Sequence, residues 1–383
     1  MGSESRNRYL LKNTLIFTLG NIGSRMISFF LIPLYTNVLT TSQYGTVDLI
    51  TTISTVAGPM LTLNIAESVM RFGLDKDADK EKNTQCGSIV LLIAMIIGLV
   101  LIPICRCITE VSDYAMYVYF YVISLSASQL FLCDLRGKEL LLKYSLGNIL
   151  QTLMIAILNI TFLLVFKMET GGYLLAYIIA NFIVAIYAII AGKGYKAFSF
   201  HNIDRCKLKE MIRYSVVLIP NTFMWWIMNS SDRVMVTYMI GAAANGIYAV
   251  SYKLPTLVST LTGIFNQAWS YSAIREEGTS DETEYNNKMF KTLSAIAFMM
   301  GIGLLLLTKP FLGVYVADSY YDAWKYTPFL IIGCVYLTLG TFMATSYTVH
   351  KDSFGYLFSG SFGAAFNIPV SYTHLTLPTK RIV

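Results

Sequence analysis

YSVVLIPNTFMWWIMNSSDRVMVTYMIGAAANGIYAVSYK, residues 214–253, is the stretch whose reading decides the fold. It is an apolar run with Asp232 and Arg233 near one end, a small-residue turn from Gly241 to Gly246, and the start of a second apolar run holding Lys253. In hydrocarbon an ionised side chain costs roughly 2.5–3.5 kcal/mol at a helix centre, so charges persist there where they face protein, water or cargo. The stretch reads as a membrane-embedded helical hairpin and as a functional candidate.

Composition extends that reading to the whole chain. Of 383 residues 55% are hydrophobic and 14% charged, with a mean hydropathy of +0.55. The apolar residues fall in repeated runs of about twenty, the helix length a bilayer demands. Spans are expected near 14–38, 46–70, 86–105, 114–133, 145–166, 171–192, 214–237, 245–269, 290–308 and 327–349, with an eleventh beginning near Phe354. The fold class is an all-α polytopic membrane protein.

With the N-terminus inside, the inner segments carry twenty Lys and Arg, counting Lys291 at the edge of the ninth span, and the outer loops four. Positive residues concentrate on the cytoplasmic side, so the N-terminus is expected in the cytoplasm and the chain in the cytoplasmic membrane. The first run follows Arg6, Arg8 and Lys12 as a signal peptide would, but its length, its Arg25 and its lack of a small-residue cleavage site make it a retained helix. The outer loops are short and leave no room for an extracytoplasmic catalytic domain.

Six cysteines and three histidines are scattered without a zinc, iron–sulfur or hydrolase spacing. No metal, cofactor, catalytic residue or nucleic-acid partner is expected.

LTTSQYGTVDLI at 39–50 overlays IGAAANGIYAVS at 240–251 at an offset of 201 residues. In each copy a basic segment leads into a long span, a turn closes on Gly45 or Gly246, and a second span follows. Six spans separate the copies, an even number that preserves orientation. The expectation is two parallel six-helix bundles related by an axis along the membrane normal, the second incomplete, with a site between them. The bundles are 1–192 and 214–369, joined by a basic cytoplasmic linker at 193–213.

Asp232 and Arg233, then Gly241, then GIYAVSYK at 246–253, together with Ile32, Pro33 and Leu34 and with Gln43, Tyr44 and Gly45, carry a family resemblance. The chain resembles, over residues 8–369, the polysaccharide transporter family, the O-antigen and capsule flippases of the multidrug/oligosaccharidyl-lipid/polysaccharide superfamily. The resemblance implies a flippase that moves undecaprenyl-diphosphate-linked oligosaccharide repeat units across the membrane by alternating access, working beside other polysaccharide assembly proteins. It also implies two more helices after the second bundle. Val370–Leu375, VSYTHL, resembles the translation of a sequencing-transposon end, so 370–383 is expected to be a non-native tail.

A lipid diphosphate needs cations in low dielectric, and guanidinium groups suit phosphate by bidentate hydrogen bonding. Arg25 lies about eleven residues into the first span, near mid-membrane at about 1.5 Å per residue, with Asn21 one turn before it on the same face. Arg25, Asn21, Arg233 and Lys253 are the substrate-binding candidates. The alternative for Arg25 is a structural pair with Glu67. Asp232 is placed to bridge Lys253, and Glu67 to pair with Arg71 at i,i+4; both carboxylates have a coupling role as the alternative. Asp48 is expected among headgroups, and Pro33, Pro59, Pro220 and Pro255 are expected to kink their spans. The rival functions are a multidrug exporter of the same superfamily, which would need cavity carboxylates, and a membrane enzyme acting on lipid-linked sugars.

Overall fold

The computed structural model describes residues 27–75, 77–107, 111–198, 203–276 and 282–350, and 352, 354–356, 358–363, 365–367 and 369 beyond them. Asn21, Arg25 and the tail at 370–383 lie outside the described residues. Within them the chain is helical and contains no strand. The elements are α1 (Ile32–Val38), α2 (Thr41–Leu61), α3 (Ile65–Gly73), α4 (Lys80–Arg106), α5 (Ala115–Gly137), α6 (Leu141–Ile160), α7 (Glu169–Ala191), α8 (Arg205–Met239), α9 (Ala242–Ser251), α10 (Lys253–Glu276), α11 (Glu282–Tyr315) and α12 (Thr327–Val349). A π-helical turn, Thr161–Val165, extends α6. Residues between 354 and 369 are again helical where described.

Six helical segments are long and apolar enough to cross a bilayer, or seven if α2 and α3 form one bent span. The chain is therefore a multi-pass membrane protein. Large apolar side chains such as Ile96, Val100 and Ile104 on α4, and Met299, Leu306 and Leu307 on α11, point outward, as lipid-facing surfaces do. The helices α8 and α10 fall outside that set. The helix α8 covers the expected span 214–237 and holds Asn221, Thr222, Asn229, Ser230, Ser231, Asp232 and Arg233 within its apolar run, while the expected span 245–269 is divided between α9 and α10.

Local chemistry sets the helix starts. Asp79 caps α4 by accepting from the Lys82 backbone N–H at 3.1 Å, with Glu81 in the first turn and Arg106 in the last to oppose the helix dipole. At the start of α2, Thr40 Oγ1 accepts from Gln43 N (3.2 Å) and Gln43 Oε1 accepts from Thr40 N (2.9 Å), a reciprocal capping box.

The chain divides into two compact units, residues 1–34 with 46–226, and 35–45 with 227–383. The first packs α3, α4, α5, α7 and the start of α8 around Ile65, Val69, Cys86, Leu130, Leu135, Ala188 and Met211. Asp134 and Lys138 form a 2.6 Å ion pair there, 3% and 12% exposed. Lys138 also donates to Gly192 O at 2.9 Å and Thr84 donates to Asp134, so this buried pair is hydrogen-bonded on both sides, to α4 and to the end of α7. The basic segment expected as a linker is built into this unit: Gly194–Phe198 is a 3₁₀ turn, and Ser68 Oγ donates to Met211 O at 2.6 Å.

The second unit gathers the two small-residue turns that the 201-residue offset relates. A side chain at Gly45 would overlap the carbonyl oxygen of Ala242, and one at Gly246 that of Thr41. The two contacts map onto each other under the offset, and both need glycine because the backbones touch. Asn245 Nδ2 donates to Gly45 O at 2.9 Å, and the fully buried Tyr320 donates to Leu39 O at 2.9 Å. In the same unit, Trp269 and Phe342 stack at 4.6 Å beside Ala273, Leu293 and Val349.

Two proline expectations are revised. Pro59 stands in α2 before the break at 62–64, where the axis bends by 60° into α3. Leu63 and Asn64 sit at φ 52° and 54°, so the break is a left-handed turn beyond the proline. Pro255 lies in the first turn of α10, which starts afresh after Tyr252, a position where proline is tolerated. Asp48 is 7% exposed and sits in protein rather than among headgroups.

Candidate functional site

The break between α2 and α3 opens a cavity of about 780 Å³ inside the first unit. A continuous helix could not put Asn64 and Glu67 where the left-handed turn puts them, both on the cavity wall. Gln129 and Cys133 come from α5, Tyr144, Asn148 and Gln151 from α6, and Tyr214, Asn221 and Thr222 from α8. Five of the sixteen lining residues are carboxamides, one is a carboxylate, and none is Lys or Arg among the described residues.

Hydrogen bonds within the wall commit some of these groups. Gln151 Nε2 donates to Asn181 Oδ1 at 2.6 Å, which aims its oxygen, and Asn64 Nδ2 reaches Thr222 Oγ1 at 3.4 Å. The side-chain amides of Gln129, Asn148 and Asn221 bond to no other described residue. Glu67 stands in the first turn of α3, where the helix dipole favours a negative charge. Its expected partner Arg71 instead bonds Asp75 at 2.6 Å, one turn farther on, and Glu67 makes no ion pair with a described residue. The i,i+4 pair is corrected accordingly: Arg71 turns toward the end of its short helix, where Asp75 is exposed beside it.

Asp232, Arg233 and Lys253 lie in the second unit. Tyr248 donates to Asp232 Oδ2 at 3.2 Å, and the Arg233 guanidinium lies 5.4 Å from the ring centroid of Tyr252. Neighbouring residues of one helix thus engage rings one turn apart on the next, as a 100° step requires. Lys253 is half-buried at the first position of α10. Glu67 belongs to the first unit, and Asp232, Arg233 and Lys253 to the second.

Sequence reading missed the carboxamides because they come from four separate helical stretches with no common spacing. The signal available was amides inside apolar runs, Gln129 in 114–133 and Asn148 and Gln151 in 145–166, since buried polar groups need partners.

The family model described as polysaccharide biosynthesis protein matches residues 10–274. The chain belongs to that family. Solved structures with the same fold as this family member include an inward-facing multidrug resistance MATE family transporter of the MOP superfamily, at 12% identity, TM-score 0.61 and 95% coverage of both chains. An outward-facing transporter of that description matches at 13% identity and TM-score 0.60, over 94% of this chain and 84% of the other. A mutant of the Vibrio cholerae MATE transporter VcmN matches at 13% identity and TM-score 0.56, over 99% of this chain and 98% of the other. No curated protein matches the sequence. At these identities the likeness establishes the fold.

Proposed function

We propose that this polysaccharide biosynthesis family member is a flippase that moves undecaprenyl-diphosphate-linked oligosaccharide repeat units from the inner to the outer leaflet of the cytoplasmic membrane. The observation that carries the reading is a polysaccharide-biosynthesis sequence in a chain of transporter fold. A lipid-linked repeat unit is the polysaccharide precursor that has to cross a bilayer. Loop charges orient the chain with its N-terminus in the cytoplasm. In that orientation the start of α8 and the end of α5 are cytoplasmic, so the cavity of the first unit lies on the side from which the substrate comes.

Arg25, Arg233 and Lys253 are the cations assigned to the diphosphate, with Asn21 beside Arg25. Glu67 and Asp232 are the carboxylates for coupling or for holding the helices. The domain assignment follows the internal repeat, 1–192 and 214–369 joined by 193–213, and other polysaccharide assembly proteins are the expected partners.

A second reading, a multidrug exporter, draws on one observation: the described cavity wall carries a carboxylate and no cation. One experiment separates the two. The gene is introduced into a flippase-deficient bacterium, and surface polysaccharide and drug resistance are both measured. Restored polysaccharide supports the flippase; drug resistance with no lipid-linked sugar moved to the outer leaflet supports the exporter.

A further inference from the structure

The cavity of the first unit has a chemistry that the diphosphate does not explain. Its described lining residues include no Lys or Arg, with Arg136 lying 5.5 Å from the ring centroid of Tyr144, yet they bring five carboxamides and one carboxylate to about 780 Å³, within the roughly 300–1,000 Å³ of small-molecule sites. Gln129 and Asn221 are exposed to it, Asn148 is half-buried, and the side-chain amides of all three lack a partner among the described residues.

We infer that this cavity is a subsite for the sugar portion of the substrate, selective for uncharged hexose units over acidic ones; the inference rests on the flippase reading. Sugar hydroxyls are donors and acceptors at close, fixed spacing. A carboxamide presents one acceptor and two donors in one plane, and so can answer neighbouring hydroxyls without importing a charge. Hydroxyls that lose water without gaining partners are costly, which makes a wall of unpaired amides a means of discrimination. Tyr214, 38% exposed, adds aromatic surface for the apolar face of a pyranose ring, while one face of Tyr144 is taken by the Arg136 guanidinium. Glu67 accepts hydrogen bonds from neutral hydroxyls but repels the carboxylate of a hexuronic acid. A purely apolar cargo would leave these amides desolvated and unanswered.

The test uses the full chain in lipid nanodiscs and three probes: undecaprenyl diphosphate alone, the same carrier bearing a neutral N-acetylhexosamine, and the carrier bearing a hexuronic acid. The wild type is expected to bind the neutral-sugar carrier roughly tenfold or more tightly than the bare carrier, the worth of one or two net hydrogen bonds. In the Gln129→Leu, Asn221→Leu double variant that ratio is expected to fall to within about twofold. Both side chains are exposed, so the change leaves the core intact. Glu67→Gln, a near-isosteric change, is expected to raise the affinity for the hexuronate carrier relative to the neutral one. An unchanged ratio in the double variant, or no sugar preference in the wild type, overturns the subsite while carrier binding still supports the flippase. Binding of none of the three carriers overturns the flippase reading and the subsite with it.

Discussion

At the scale of single residues, two glycines and one ion pair govern what the chain tolerates. Gly45→Ala and Gly246→Ala each force a methyl into a backbone carbonyl of the other turn, an overpacking that costs about 1–3 kcal/mol. Both variants are expected to lower the unfolding midpoint in detergent by similar amounts, because the offset makes the two contacts equivalent. Gly263→Ala, mid-helix with nothing within 4 Å of the added methyl, is the control and is expected to leave the midpoint unchanged or raise it slightly, since alanine favours a helix interior by about 0.5–1 kcal/mol. Lys138→Met removes the partner of the 3%-exposed Asp134 and is expected to destabilise by roughly 3–5 kcal/mol, read from the same thermal curves. Lys253→Ala followed by Asp232→Ala tests the trio of the second hairpin. If transport lost in the single variant returns in the double, the carboxylate and the amine served as a structural bridge; if it stays lost, they serve the substrate.

Among the elements, the broken α2–α3 span is the one that creates a site. Its turn holds Leu63 and Asn64 in the left-handed region, costing about 1–2 kcal/mol for an ordinary side chain. Asparagine relieves part of that cost through its short polar side chain; leucine does not. Leu63→Ile is expected to destabilise by about 1 kcal/mol and Leu63→Gly to be neutral or stabilising, compared by thermal unfolding. A run of 46–70 reads as one helix because nothing in its hydropathy marks residue 63. Pro59 was visible in sequence, but the bend comes after it, once three residues leave the helical ladder. By contrast α4, α5, α7 and α12 coincide closely with the expected runs, since membrane-spanning helices must be apolar over the full bilayer thickness.

The whole molecule is where transport is tested. Substituting Arg25 by Gln is expected to abolish complementation of a flippase-deficient strain while protein level in the membrane is kept, because a neutral amide cannot balance a diphosphate. Retained complementation would remove Arg25 from the substrate path. The sequence by itself determined the helical membrane class, most of the spans and the repeat at an offset of 201. These depend on hydrophobic length and on glycine at points of backbone contact, both of which are local. Its candidate residues were charges, because a charge in an apolar run stands out one residue at a time. Tertiary structure alone decided which neutral residues share a wall. Asn64, Gln129, Asn148, Gln151 and Asn221 come from separate stretches and converge only after α2 breaks and α5, α6 and α8 pack beside it. It also decided that Asp232 meets Tyr248 and that Arg71 meets Asp75, since side-chain partners are chosen by distance in the folded chain, which spacing along a helix constrains without determining.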